Sequence, residues 1–384
     1  MREAAIATLG DLIAFPTVST ESNVEITAYL ADRLEAAGAR VEIQRHESEP
    51  KANLYATLGP EGPGGVLLSG HTDVVPVADQ DWTTDPFTMA ERDGRLYGRG
   101  SCDMKGFVAC AVSLAEALTS ETLTTPLHFA FTHDEETGCL GAQRLADRLR
   151  ERDALPSICI VGEPTEMKPV DGHKGCFEYR VRFQGLEGHG SAPDLGVNAV
   201  EYAARYVANL MELREALRRR APANCPFDPP FATINIGRLS GGVAPNVVAG
   251  KAELLWEMRP VQPGDAEFVK DALEAYASEE LIPAMRAIHP EAGLETEILG
   301  EVVGLAPQAS NAARDLMAAL TGDNAAGLVP FGTEAGLFQE IGMDVVVCGP
   351  GSIEQAHKAD EFIAIAEIDR CLAMLERLGG HLTA

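Results

Sequence analysis

Short apolar runs set the kind of fold open to this chain: Val66-Leu67-Leu68, Leu127-His128-Phe129-Ala130-Phe131, Ile158-Cys159-Ile160-Val161 and Val345-Val346-Val347. Runs of this length, with almost no polar alternation, suit strands covered on both faces, as in a parallel sheet. Segments with helical spacing alternate with them, at about 3–14, 22–37, 103–118, 140–150, 308–320 and 363–379. Gly38 sits where a left-handed residue would end the second of these. The alternation predicts an α/β domain, a mostly parallel sheet sandwiched by helices.

The middle of the chain obeys another rule. Phe177-Glu-Tyr-Arg-Val-Arg-Phe-Gln184 alternates with period two, the pattern of a strand with one wet face. A helix at about 197–220 follows, then strands at 232–236 and 252–258, a helix at 265–280 and a strand near 295–298. That β-α-β-β-α-β order is the ferredoxin-like unit. The reading is therefore a discontinuous α/β domain, 1–175 and 301–384, carrying an inserted α+β domain at 176–300. Arg218-Arg219-Arg220 reads as a solvated helix end.

Composition narrows the function. With 384 residues the chain is long for a single core, which agrees with two domains. It carries 31 basic against 58 acidic residues, a formal charge of −27, and such a surface repels phosphate backbones, so nucleic acid is not an expected partner. No apolar run approaches the roughly 18 residues of a membrane span. The first residues lack the three-part layout of a secretory signal. Eight scattered cysteines with no C-x-x-C pair read as buried thiols in a reducing cytoplasm, not as a disulfide frame or structural zinc cluster. The expectation is an acidic cytoplasmic enzyme.

Candidate ligands fall where strands end. His71 and Asp73 follow the first run, Glu135 and Glu136 the second, Glu163 the third and His357 the fourth, while Asp103 follows the turn Gly98-Arg99-Gly100 and opens a helix. In an open parallel sheet these strand ends share one edge, where such folds place their sites. Any one of these residues has an ordinary structural reading; Asp103, for example, suits a helix N-cap. Their convergence on one edge does not. Two imidazoles with three or four carboxylates make a nitrogen and oxygen set suited to Zn²⁺, Mn²⁺ or Co²⁺. The carboxylate excess allows two ions to share a carboxylate and a water. In His71-Thr72-Asp73 the aspartate can take the proton of the other ring nitrogen. Glu135 and Glu136 cannot point the same way from an extended segment, so one can bind metal while its neighbour acts as general base.

Five strings, in order, carry a family resemblance: His71-Thr-Asp-Val-Val-Pro76, Gly98-Arg-Gly-Ser-Cys-Asp-Met-Lys-Gly106, Asp134-Glu-Glu-Thr-Gly138, Gly162-Glu-Pro-Thr165 and Gln355-Ala-His357. Together they resemble the dinuclear-zinc aminoacylase/carboxypeptidase superfamily along essentially the whole chain. The resemblance implies two Zn²⁺ per chain, with Co²⁺ or Mn²⁺ as alternatives. Asp103 would bridge them, His71 and Glu163 would complete one metal, and Glu136 and His357 the other. Glu135 would be the general base and Asp73 the partner of His71, and the Asp103–Met104 peptide would be cis. The inserted domain would be a lid that mediates homodimerisation. Its Gly188-His189-Gly-Ser-Ala-Pro193 is similar to the lid motif whose histidine stabilises the oxyanion in the partner subunit's site, with Gly190 standing where serine is commoner.

Within the superfamily, His173-Lys-Gly175, Gly196-Val-Asn-Ala199, Gly332-Thr-Glu-Ala335 and Gly349-Pro-Gly-Ser-Ile-Glu-Gln-Ala-His357 are most similar to the acetylornithine deacetylase branch. The substrate implied is a small N-acyl amino acid, cleaved to a carboxylic acid and an amine. Succinyl-diaminopimelate desuccinylases share the metal strings but carry a Thr-Ser-Asp-Gly-Arg type of sequence where this chain has Thr333-Glu334-Ala335-Gly336. An ornithine ammonium would suit a carboxylate such as Glu334, whereas a succinyl carboxylate would call for arginine. Arg259, Lys174, Asn246 and Thr333 are candidates for the α-carboxylate or for lid closure. Broad aminoacylase, dipeptidase and a metal-free binding protein on the same fold are the competing readings.

Overall fold

The computed structural model describes residues 1–383, and they form two compact units. Unit 1 comprises Met1–His173, Pro307–Val329 and the chain from Thr333 onward; unit 2 comprises Lys174–Ala306 and Pro330–Gly332.

The main sheet of unit 1 has eight strands: β1 Arg40–Arg45, β2 Ala52–Leu58, β3 Val66–His71, β4 Leu127–Thr132, β5 Ile158–Pro164, β6 Val170–His173, β7 Gly327–Val329 and β8 Asp344–Gly349. Their order across the sheet is β1-β2-β4-β3-β5-β8-β6-β7. The four strands that contain the apolar runs, β4-β3-β5-β8, are mutually parallel, with Val66 opposite both Leu127 and Ile158. Strands β3 and β4 are buried at every position, as a sheet covered on both faces requires. The flanks depart from the expected parallel pattern, since β1–β2, β2–β4 and β6–β8 pair antiparallel.

The helices of unit 1 are α1 Arg2–Ile13, α2 Val24–Ala36, α3 Lys105–Ala117, α4 Leu140–Arg150, α5 Ala312–Thr321, α6 Ala335–Glu340 and α7 Ile365–Thr383. Residues of α1, α2, α3, α5 and α7 share one apolar cluster, while α4 and α6 pack on each other. Helix α3 is the most enclosed, buried from Lys105 to Ala115. Asp103 stands at its entrance, so the candidate ligand adjoins this enclosed helix.

Unit 2 holds a four-stranded antiparallel sheet in the order Thr233–Gly241, Lys251–Arg259, Cys176–Gln184, Gly293–Val302. Helices Ala199–Arg220 and Asp265–Tyr276 contribute Tyr206, Leu210, Val269 and Leu273 to its core beside Val181, Leu254 and Trp256. This is the ferredoxin-like arrangement that the alternation predicts. The first helix is capped by Asn198, whose side chain accepts from the N–H groups of Val200 and Glu201. The second gives way at Ala277 to a wider turn before Ile282–Arg286, next to Pro283, which has no N–H to donate. The arginine run ends its helix as expected, but Arg218 and Arg220 also lie over the rings of Phe231 and Phe268.

All eight cysteines are free; six are buried, while Cys176 and Cys225 are partly exposed. Among the described residues no helix is long and apolar enough to cross a membrane.

Candidate metal centre

Because β3, β4, β5 and β8 run parallel, their C-terminal ends meet at one edge of the unit 1 sheet. His71 is the last residue of β3 and is 1% exposed; Glu163 is the last residue but one of β5 and is also buried. Glu135 and Glu136 follow β4 across Asp134, which takes a left-handed conformation at φ 54°. Asp103 precedes α3, with a cis peptide to Met104. His357, also left-handed at φ 62°, stands on the loop after β8.

These residues converge on Asp103. His71 Nε2 lies 3.0 Å from Asp103 Oδ1 and 3.6 Å from Glu163 Oε1. His357 Nε2 lies 3.4 Å from Asp103 Oδ2 and 3.0 Å from Glu136 Oε2. Each oxygen of Asp103 thus faces a different imidazole, and each imidazole faces one further carboxylate. Ligand atoms of His71, Asp103 and Glu136 fall within 4.8 Å of one another, as do those of His71, Glu135 and Glu163.

The second function of each imidazole is also visible at His71. Its Nδ1 is 2.9 Å from the backbone carbonyl of Asp73, which only accepts, so this nitrogen carries the hydrogen and Nε2 is the one presented to the carboxylates. The Asp73 carboxylate is farther, at 3.6 Å. That carboxylate instead accepts from Ser19 Oγ at 2.7 Å and from the backbone N–H groups of Glu135 and Glu136 at 3.1 and 3.3 Å. Asp73 thus meets His71 through its carbonyl and, at longer range, through its carboxylate, which also fixes the segment bearing Glu135 and Glu136.

Electrostatics identify what is missing. Burial pushes Glu135 up to about 8, with the charges of Glu136, Asp103 and Asp73 adding to it against His71. Glu136 rises to about 7 for the same reasons, burial first and Asp103 next. Glu163 is raised well above the carboxylate range by burial and by Asp103. His357 is raised to about 10 by Asp103 and Glu136. Glu163 Oε1 is buried with no hydrogen-bond partner. Four carboxylates and two imidazoles crowd together with a stranded oxygen and too little positive charge. Divalent cations would supply it, and an all nitrogen and oxygen donor set fits them.

A third acidic group, Cys176, Glu178 and Glu257 in unit 2, differs in that Glu257 already pairs with Arg259 at 2.9 Å.

The expected substrate residues fare unequally. Glu334 is fully buried, and its two oxygens accept from Ser69 Oγ at 2.6 Å and Thr132 Oγ1 at 2.8 Å. Its expected contact with a substrate ammonium is thereby overturned: the carboxylate ties α6 to β3 and β4 from within the core. Thr333 is equally buried, its Oγ1 3.0 Å from His173 Nε2 and accepting from the N–H of Ala335, the first residue of α6, at 3.1 Å. The other candidates belong to unit 2. Lys174 donates to the carbonyls of Pro229 and Phe231. Asn246 is exposed, and its carbonyl accepts from Gly190. His189 is exposed on a two-residue strand paired with Val247–Val248, its Nδ1 2.8 Å from Ser191 Oγ.

Residues that sequence reasoning passes over also build the centre. Lys51 is buried and paired with Asp134, which leads into the Glu135-Glu136 pair, and it donates to the carbonyl of Ser19. Glu361 is buried and accepts from the N–H of Asp103. A buried lysine and the acidic residue four places beyond His357 were the available signals.

Residues 67–379 match the family model for peptidase family M20/M25/M40. An acetylornithine deacetylase of Myxococcus xanthus is 39% identical, the match covering 98% of this chain and 96% of that relative. Among solved structures, an M20 family metallo-carboxypeptidase of Sulfolobus solfataricus has the same fold, with a TM-score of 0.78 at 17% identity over 98% of both chains. A dinuclear metal binding M20 peptidase of Bacillus subtilis has a TM-score of 0.64 at 19% identity over 100% and 99% of the two chains. The match along the chain and the shared fold agree with the cluster of candidate ligands at the sheet edge: the chain belongs to peptidase family M20/M25/M40, a family of metal-dependent hydrolases.

Proposed function

We propose that this chain hydrolyses the acetyl amide of N-acetyl-L-ornithine, giving L-ornithine and acetate in arginine biosynthesis, with two zinc ions per chain. The observation that carries the reading is Asp103, whose two oxygens face separate imidazoles at 3.0 and 3.4 Å. Asp103, His71 and Glu163 would hold one ion, and Asp103, Glu136 and His357 the other; Co²⁺ or Mn²⁺ would satisfy the same donors. When bound, such ions polarise an amide carbonyl and make water acidic near neutral pH. The protein supplies the rest. Glu135, partly buried beside Glu136, is assigned as the general base that takes a proton from the attacking water and returns it to the leaving amine. Asp73 keeps the backbone of Glu135 and Glu136 in place.

Unit 2 is assigned the part of a lid and homodimerisation domain, with His189 stabilising the oxyanion in the site of a second copy; the family resemblance of its motif supports this. Arg259, partly exposed in unit 2, is assigned with Asn246 to the substrate α-carboxylate. The 39% identity to an acetylornithine deacetylase along nearly the whole of both chains favours this substrate over the desuccinylase, aminoacylase and dipeptidase alternatives. Initial rates on Nα-acetyl-ornithine, acetyl-methionine, succinyl-diaminopimelate and a dipeptide test it. Preference for acetyl-ornithine is expected, and preference for another member would replace the substrate while leaving the amide chemistry.

A further inference from the structure

Three segments of unit 1 that are distant in sequence, 80–83, 98–103 and 357–361, are cross-braced behind the metal centre. Glu361, 1% exposed, spends its whole carboxylate on the segment that leads to Asp103. Its Oε1 accepts from the N–H groups of Cys102 at 2.8 Å and Asp103 at 3.1 Å, and its Oε2 from the N–H of Gly100 at 3.0 Å and from Arg99 Nη1 at 2.7 Å. Arg99 is equally buried and also donates to the carbonyl of Lys358 at 3.3 Å and to Gln80 Oε1 at 2.5 Å. Gln80 closes the circuit: its Nε2 donates to the carbonyl of His357 at 2.9 Å. A parallel tie runs from the N–H and Oγ1 of Thr83 to Asp360 Oδ1, at 2.9 and 3.0 Å.

None of these side chains faces a reacting atom. The chain of contacts instead joins the backbone of Asp103 to the backbone of His357. Those two residues sit on one side of the centre with Glu136. His71, at the end of β3, and Glu163, in β5, are placed by the sheet itself and owe nothing to the brace. The need for a brace differs correspondingly: His357 stands on a loop with a left-handed backbone and a side chain 54% exposed, whereas His71 is 1% exposed.

We propose that Gln80, Arg99 and Glu361 are positioning residues for the metal centre, and that Gln80, which reaches the carbonyl of His357, sets the affinity of the position held by Asp103, Glu136 and His357. This rests on the two-metal reading given above. Gln80 is the residue to test, because it is partly exposed and its loss leaves the Arg99–Glu361 pair intact. Gln80→Glu keeps an acceptor for Arg99 and for Trp82 Nε1 but turns a carboxylate oxygen toward the His357 carbonyl.

The experiment is calorimetric titration of metal-stripped full-length protein with Zn²⁺, for wild type, Gln80→Ala, Gln80→Glu, His357→Ala and the Gln80→Ala/His357→Ala double variant, with thermal unfolding of each alongside. Wild type is expected to show two binding events. Gln80→Ala should weaken one of them by roughly five- to tenfold, the worth of one hydrogen bond, and leave the other and the thermal midpoint unchanged. Gln80→Glu should weaken that same event further. His357→Ala should abolish it, and in that background Gln80→Ala should have no further effect, since both act on one position. Two events of wild-type affinity in Gln80→Ala would overturn the proposal while leaving the metal centre standing. Equal weakening of both events would overturn it as well, by showing a general disturbance. Absence of zinc binding to wild type would overturn the two-metal reading and this proposal together.

Discussion

Glu135→Gln separates a catalytic carboxylate from a structural one, because the structure predicts opposite effects on rate and on stability. The substitution keeps the size of the side chain and removes a charge that burial and three neighbouring carboxylates oppose. Loss of a general base lowers turnover by about 10² to 10⁴. The stability effect is worked from the carboxyl's displacement from its usual 4.5 to about 8 in the metal-free protein. At about 1.4 kcal/mol for each tenfold change in acidity, that displacement costs the folded state up to about 5 kcal/mol once the pH exceeds both values. The sign follows from the direction. Below 4.5 the group is protonated folded and unfolded, so it costs nothing; as pH rises toward 8 the unfolded chain ionises first and the folded state loses ground. Metal-free Glu135→Gln should therefore unfold at the wild-type temperature near pH 4.5 and several degrees above it near pH 8.5. Acetate release from Nα-acetyl-ornithine by the zinc-loaded enzyme, together with thermal unfolding of the metal-free proteins across that range, reads both effects. Near-normal turnover would refute the base assignment. A variant no more stable at pH 8.5 than wild type would refute the electrostatic account of the centre.

Four further substitutions have definite outcomes. Glu334→Gln should leave the preference for cationic over neutral acyl-amino acids unchanged and lower stability by about 1–3 kcal/mol, because the carboxylate holds Ser69 and Thr132 and meets no substrate; a lost preference would restore it as a substrate ligand. Asp73→Asn replaces an acceptor of Ser19 and of two backbone N–H groups with a side chain that has one acceptor fewer, so metal affinity and turnover should fall by roughly 10- to 100-fold with the fold retained; metal titration and circular dichroism check this. Gly162→Ala places a methyl 2.0 Å from the ring carbons of buried Phe107 and should cost about 3 kcal/mol or more by denaturant unfolding. Gly380→Ala, in α7 with nothing within 4 Å, should instead stabilise by up to about 1 kcal/mol.

The parallel centre of the sheet was legible because β3, β4, β5 and β8 are buried on both faces and must therefore read as apolar runs. The flanking strands β1 and β2 were not. Arg40–Arg45 has no fully buried position, and Ala52–Leu58, though buried at nearly every position, breaks its apolar run with Asn53 and Thr57, so neither reads in sequence as a doubly covered strand. The convergence of the candidate ligands was legible for a related reason: residues after parallel strands are bound to share an edge. What escaped the sequence is who supports whom. Glu334 and Glu361 are both isolated acidic residues near the metal-ligand strings, and nothing in their neighbours along the chain says that one is spent on two hydroxyls in the core and the other on a loop backbone. Asp73 likewise has the spacing to reach His71, yet the carbonyl of the same residue lies closer, and its carboxylate turns to backbone groups 62 and 63 positions away. Hydrogen bonds of such long sequence separation leave no periodic trace.

The central claim is that Asp103 joins two metal positions at which acetyl-ornithine is hydrolysed. It is tested most directly by adding Zn²⁺ stepwise to metal-stripped protein and recording acetate release against bound zinc per chain. The account predicts negligible release without metal and a rise that saturates at two ions per chain. Release that persists in metal-free protein, or a chain that binds no zinc, would contradict it.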